Sequence, residues 1–153
     1  MKSLRCLLIF TILFYIVGCA SVPKKEEIRF KNYNAIVVKK FSVAPSSAYS
    51  DSSGPLLADR LVYWLRYYNA KLKFFDGVVL EGTQEVKQEN ILLITGEFRG
   101  YSVFYQFLDG PTGRLVKEGE IPWTDRNLKY MYVLIERSAR YIANIAFSAE
   151  EGK

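Results

Sequence analysis

Residues 91–95 read Ile91-Leu92-Leu93-Ile94-Thr95, an apolar run that follows the polar segment 82–90. A short apolar run of this kind is typical of a strand that is covered on both faces or nearly so. Gly96 interrupts the run, and residues 97–99 continue it with alternating polarity. The pattern therefore predicts a strand inside a β-sheet, against which the rest of the chain packs.

Two more strands are predicted on the C-terminal side of this run, over residues 103–108 and 114–123. Residues 109–113 lie between them and combine Asp, Gly, Pro and Thr, which is typical of a tight turn. The second strand carries the charged side chains Lys117, Glu118 and Glu120 in its middle. We therefore expect it to be half-exposed and to lie at an edge of the sheet.

On the N-terminal side, residues 34–43 and 78–81 each predict a strand. The polarity of the first changes phase at Lys39-Lys40, where a bulge or a strand end fits. Between the two strands, apolar side chains recur at steps of three and four residues and so share one helical face. They are Leu57, Leu61, Trp64, Tyr68, Leu72 and Phe75. Ser52 or Ser53 can cap this helix, and Pro55 suits its first turn.

Residues 71–75 allow two interpretations. The helix can run to about Phe75, with Lys71 and Lys73 near its negative end and Gly77 as a left-handed cap. Alternatively, these residues form a strand that turns at 76–77 into the next strand. The apolar stripe continues in phase, so we prefer the helix.

A second amphipathic helix is predicted from Thr124 or Asp125 to about residue 149. Its apolar stripe is Leu128, Met131, Ile135, Ser138, Ile142 and Ile145. The elements thus follow the order β-α-β-β-β-β-α. This order predicts an α+β fold, a mixed and mostly antiparallel sheet of about five strands with two helices covering one or both faces. Residues 34–149 form a single domain, and 150–153 are expected to be a frayed tail.

The N-terminus has the pattern of a secretory signal peptide. A short basic start precedes twelve uncharged residues, Cys6 to Val17, which is too short for a typical membrane span of about 20 residues. The next positions, Ile16-Val17-Gly18-Cys19, resemble the lipobox of bacterial lipoprotein precursors. Residues 1–18 are then the signal peptide, and 19–33 are a tether of mixed charge.

The resemblance implies cleavage between Gly18 and Cys19 and a covalent acyl lipid, such as palmitate, on Cys19. No other cofactor is expected, and the lipid anchors the chain to a membrane of the cell envelope. In enteric lipoproteins an aspartate after the cysteine favours the inner membrane. Because Ala20 stands there, the resemblance implies the outer membrane, with the domain facing the periplasm.

Composition excludes several kinds of chemistry. The chain has no histidine, and its two cysteines are Cys6, in the signal peptide, and Cys19, whose sulfur the lipid would occupy. No thiolate nucleophile, disulfide or histidine-based metal site is therefore expected. Two of the 21 Lys and Arg residues and none of the 16 acids precede Cys19, so the mature net charge is +3. This charge is too small to indicate nucleic-acid binding.

Two sets of residues remain as functional candidates. Glu118 and Glu120 share one face of the predicted edge strand and could serve a carboxylate-based hydrolase, but solvated strands often carry such pairs. The outer side of the first helix carries Arg60, Tyr63, Arg66 and Tyr67. Tyr and Arg are enriched in interface hot spots, so we predict that these four residues bind a protein partner.

The domain itself is similar to small lipoprotein domains of unknown function. Residues 33–41, 91–96 and 108–113, with a helix before and after, resemble the N-terminal domain of TolB and the lipoproteins that activate peptidoglycan synthases. The resemblance implies a non-enzymatic domain that binds other envelope components. An auxiliary lipoprotein that handles lipids or other hydrophobic ligands is the alternative, since the chain is rich in aromatic residues. A hydrolase is the least favoured function.

Overall fold

The computed structural model describes residues 30–47, 49–83, 89–123 and 130–148. The predicted signal peptide, the predicted lipobox and most of the predicted tether lie outside these ranges. So do Thr124, Asp125 and the frayed tail, and the predictions for these segments are not tested.

Six strands and two helices make up the described chain. The strands lie close to their predicted positions, whereas the second helix begins at Met131, after the predicted start at Thr124 or Asp125. The strands are β1 (Ala35–Val38), β2 (Ser42–Val43), β3 (Gly77–Leu80), β4 (Ile91–Arg99), β5 (Ser102–Asp109) and β6 (Leu115–Pro122). The helices are α1 (Ser53–Leu72) and α2 (Met131–Ala146).

All six strands belong to one mixed sheet with the order β3-β1-β4-β5-β6, and β2 pairs with β4 beyond the end of β1. β1 runs parallel to β3 and β4, whereas β4, β5 and β6 form an antiparallel meander. The α+β fold and the order β-α-β-β-β-β-α are confirmed. The predicted change at Lys39-Lys40 is a strand end: β1 stops at Val38, and the two-residue β2 resumes the sheet.

The core lies between the sheet and the two helices, which pack on the same face. Leu92, Ile94 and Phe98 of β4 point into it and are fully buried, and the apolar stripes of both helices, which are buried or half-buried, pack against them. Leu93 and Thr95 point to the opposite face and are only half-buried. The apolar run is thus covered completely on one face only, because no described helix lies over the other.

The end of α1 differs from both sequence interpretations. The helix stops at Leu72, and Lys73 takes the left-handed cap with φ 49° and donates its backbone N–H to Asn69 O at 2.7 Å. Gly77 instead begins β3. Asn69 Oδ1 accepts the backbone N–H groups of Phe74 and Phe75, and Nδ2 donates to Phe75 O. Residues 73–75 are therefore neither helix nor strand, because a side chain holds them in a turn.

We expect Asn69→Ala to lower the free energy of unfolding by about 2 kcal/mol, because three part-buried backbone groups lose their partner. Urea denaturation of the mature domain measures this loss. Asn144→Ala is the matched control, since Asn144 is an exposed asparagine of α2 and the change should stay within about 0.5 kcal/mol. Equal losses in the two variants would show that the Asn69 turn does not stabilise the fold.

Candidate partner-binding surface on the helical layer

Trp64 organises the aromatic side chains on the outer side of α1. Its ring centroid lies 5.5 Å from those of Tyr63 and Tyr67, and both pairs are nearly perpendicular. Trp64 is half-buried rather than a core residue, and the Arg140 guanidinium of α2 lies 5.1 Å from its ring centroid. Such edge-to-face pairs favour one ring orientation, so Trp64 restricts the two exposed tyrosines.

Glu136 of α2 links the two helices at this point. Its Oε1 accepts the indole N–H of Trp64 at 2.7 Å, and its Oε2 lies 3.7 Å from Arg60 Nε. The Arg60–Glu136 ion pair is well exposed and adds little stability by itself. The bond to Trp64 fixes the indole, and through it the neighbouring tyrosines.

An open groove of about 660 Å³ runs between α1 and β3. We call it the tyrosine groove; its lining residues are Asp59, Val62, Tyr63, Arg66, Tyr67, Leu80 and Thr83. Tyr63 is 54% exposed and Tyr67 is 40% exposed, so both rings are accessible. Three of the four predicted partner-binding residues, Tyr63, Arg66 and Tyr67, therefore lie together.

Arg66 has a structural contact as well. Its Nε donates to Val78 O at 2.9 Å. Glu81 N donates to Val38 O, so the backbone groups of the odd-numbered residues of β3 point toward β1. The backbone groups of Val78 therefore point away from β1, to the outer edge of the sheet. Arg66 thus covers part of that edge and is held in place beside the tyrosines.

Lys71 positions the ring of Tyr67. Lys71 Nζ donates to Tyr67 Oη at 2.5 Å and lies 4.1 Å from the ring centroid. The hydrogen bond from Lys71, and then its charge, lower the pKa of Tyr67. The hydroxyl of Tyr67 therefore acts as an acceptor within the chain, and the face of the groove has a positive charge at its rim.

Arg60 lies apart from the other three predicted residues. It lines a second groove of about 470 Å³ near the start of both helices, and this groove also contains Leu56, Tyr132, Val133, Ile135, Glu136 and Arg137. Tyr132 is 70% exposed, and Tyr130 and Val133 nearby are also exposed. Sequence reasoning missed this second groove. Its only signal is that Tyr132 and Val133 are apolar residues outside the buried stripe of α2.

The second groove and the tether lie toward opposite ends of the sheet. The described chain starts at Phe30, which stacks on Phe107 at 5.0 Å, and Asn34 N donates to Asn90 O where β1 and β4 begin. At the other end, Ser53 Oγ and Met131 Sδ are 3.4 Å apart, so α1 and α2 both start there. The second groove thus lies away from the point where the tether enters.

The predicted carboxylate pair lies on an exposed face of β6. Glu118 accepts a hydrogen bond from Gln106 at 3.2 Å and Glu120 accepts one from Ser102, both on the sheet face opposite the helices.

Over residues 30–47, 49–83, 89–123 and 130–148, no group of three or more His, Cys, Asp and Glu side chains is placed to hold a metal ion. Neither helix in that part of the chain has the length and apolarity required to cross a membrane.

No protein-family model matches the chain, and no curated protein matches it. Among solved structures, it is similar to the PelC dodecamer from Paraburkholderia phytofirmans, with 11% identity and a TM-score of 0.53 over 84% of this chain and 95% of that one. A substituted form of the same PelC gives a TM-score of 0.51 at 11% identity, over 76% and 90% of the two chains.

A lipoprotein from Neisseria meningitidis also matches, with 15% identity over 72% of this chain and 97% of that one. Its TM-score of 0.35 is too low to support a conclusion about this chain. At 11% identity, the two PelC structures show a shared fold and no more.

Proposed function

We propose that this protein is a non-catalytic, lipid-anchored component of the cell envelope that binds a protein partner through the tyrosine groove. The observation that carries the proposal is the arrangement of Tyr63 and Tyr67, two exposed rings held against Trp64 and next to Arg66. Rigid aromatic rings beside an arginine are typical of binding hot spots, because they bury a large area and lose little conformational entropy.

The lipid on Cys19 supplies the membrane attachment in this proposal. Two or more acyl chains anchor a protein stably, so the folded domain needs no membrane-binding face of its own. Eleven residues, Cys19 to Arg29, separate the lipid from Phe30 and can span at most about 40 Å. The domain would stay near the membrane, in the periplasm at the outer membrane, with the second groove turned away from the tether.

Two other functions have less support. An acyl chain or similar ligand would need an enclosed apolar cavity, and both grooves are open to solvent with charged residues in their walls. A hydrolase would need a carboxylate pair in a cleft, whereas Glu118 and Glu120 lie on an open sheet face. A protein partner fits the exposed aromatic surface better than either.

We expect the Tyr63→Ala/Tyr67→Ala double variant to recover its partners about tenfold less well than wild type, because truncation removes both anchoring rings. The measurement is quantitative co-purification from detergent-solubilised membranes after cross-linking. Tyr141→Ala is the matched control, since Tyr141 is an equally exposed tyrosine on α2 and does not line the groove. Thermal unfolding of each variant checks the fold. Equal recovery by the double variant and the wild type would reject the tyrosine groove.

A further inference from the structure

β6 forms an outer edge of the described sheet, where β5 is its one strand partner. Trp123 N donates to Tyr101 O, and the backbone groups of alternate residues in an antiparallel pair point to the same side. The backbone N–H and C=O groups of residues 117, 119 and 121 therefore point toward β5. The backbone N–H and C=O groups of Glu118 and Glu120 therefore point outward. An edge with free backbone groups is a template on which another strand can pair.

The two edges of the sheet differ in this respect. At the β3 edge, Arg66 already occupies the outward carbonyl of Val78. β6 is longer, with eight residues against four, and the side chains of Leu115, Val116, Glu118, Glu120 and Pro122 are exposed. Of the two edge strands β3 and β6, β6 therefore has the backbone that is more accessible for pairing with another strand.

Glu118 and Glu120 decide what kind of strand can pair there. Both lie on the sheet face opposite the helices, in register with Gln106 and Phe104 of β5. Their hydrogen bonds come from the neutral side chains of Gln106 and Ser102, so neither carboxylate forms an ion pair within the described chain. The next strand would place its own same-face side chains directly beside them.

A second copy of this chain fits the edge poorly. Symmetric antiparallel pairing of β6 with β6 keeps each face on the same side, so in the registers centred on residues 118–120 a glutamate of one copy would oppose a glutamate of the other. Like charges directly opposite each other are destabilising. Pairing of β6 with the β3 edge of another copy is obstructed by Arg66 on Val78 O.

We propose that β6 binds an extended basic segment of another protein as an added antiparallel strand. Two Lys or Arg side chains at alternating positions of that segment lie opposite Glu118 and Glu120, and the backbone groups of those same basic residues bond to β6. The segment continues the antiparallel order of β4, β5 and β6. This surface is separate from the tyrosine groove and does not depend on the function proposed for it.

The test uses the full mature chain and a fluorescent eight-residue peptide of alternating Lys and Val, which matches the length of β6. We expect the Glu118→Lys/Glu120→Lys variant to bind this peptide about tenfold more weakly than wild type, measured by fluorescence anisotropy. Glu81→Lys/Glu89→Lys is the matched control, because it changes the net charge equally at exposed positions away from β6 and should bind as wild type does.

N-methylated peptides separate strand addition from simple charge attraction. Methylation of the lysine backbone nitrogens, which would face β6, should abolish binding, whereas methylation of the valine nitrogens should leave it unchanged. The proposal is overturned if the lysine-methylated peptide binds as tightly as the unmethylated one. It is equally overturned if the two double variants bind alike, or if wild-type protein does not bind the peptide.

Discussion

Cys19→Ala should abolish incorporation of labelled palmitate and leave the precursor uncut. The reason is chemical, since in the proposed lipoprotein the cysteine sulfur would form the thioether to the lipid and alanine has no atom that can replace it. Each acyl CH₂ contributes about 0.8 kcal/mol to membrane binding. Any Cys19→Ala molecule that does lose its signal peptide would carry no acyl chain, so it should be released from the membrane. Metabolic labelling with palmitate, together with the mass of the purified protein, measures both effects.

Cys6→Ala is the matched control, because it removes the other cysteine of the chain and leaves the lipobox unchanged. This variant should be labelled and processed as wild type is. Normal labelling of the Cys19→Ala protein would mean that the chain is not a lipoprotein of this class. The membrane anchor of the proposed function would then have to be abandoned, while the tyrosine groove would remain to be tested separately.

Gly96→Ala should lower the free energy of unfolding by about 3 kcal/mol, at the upper end of the cost of overpacking a core. A Cβ at Gly96 would lie 2.7 Å from Phe41 Cδ1 and closer still to the carbonyl oxygen of Phe104. Neither neighbour can move easily, since Phe41 is buried and the Phe104 backbone belongs to β5, where it pairs with β4. Urea denaturation, followed by circular dichroism, measures the loss.

Gly77→Ala provides the comparison for this prediction. A Cβ at Gly77 meets no atom within 4 Å, and the backbone there is not in the left-handed region. We expect a change of at most about 0.5 kcal/mol. If both alanine variants unfold at the same urea concentration, the close approach of Phe41 to Gly96 does not determine the stability of this part of the sheet.

The sequence predicted most elements because their signals are local. The stripe from Leu57 to Leu72 repeats with the helical period, and the turn at 109–113 has residues that favour tight turns. The predicted end of α1 was wrong because the real end depends on the side chain of Asn69, which accepts hydrogen bonds from the backbone of Phe74 and Phe75. The apolar stripe of α1 continues in phase to Phe75, but this periodicity does not show that the Asn69 side chain has replaced the backbone hydrogen bonds that would extend the helix.

A mixed sheet was predicted, but the pattern could not show that β1 lies between β3 and β4. Val38 pairs with Leu80 and with Ile94, residues far away in the chain, and no periodicity records which strand lies next to which. The same holds for the two helices. Each has one apolar face, but only the packed structure places both on the side of Leu92 and Ile94.

By itself, the sequence determined that Tyr63, Arg66 and Tyr67 share one side of α1, because residues three and four apart on a helix are neighbours. Only the tertiary structure decided what surrounds them. In the structure Arg60 pairs with Glu136 and lies apart from the tyrosine groove. The side of that groove opposite α1 is formed by Leu80 and Thr83. Local periodicity fixes the direction of a side chain on its own element, whereas the surface that it joins depends on contacts between distant parts of the chain.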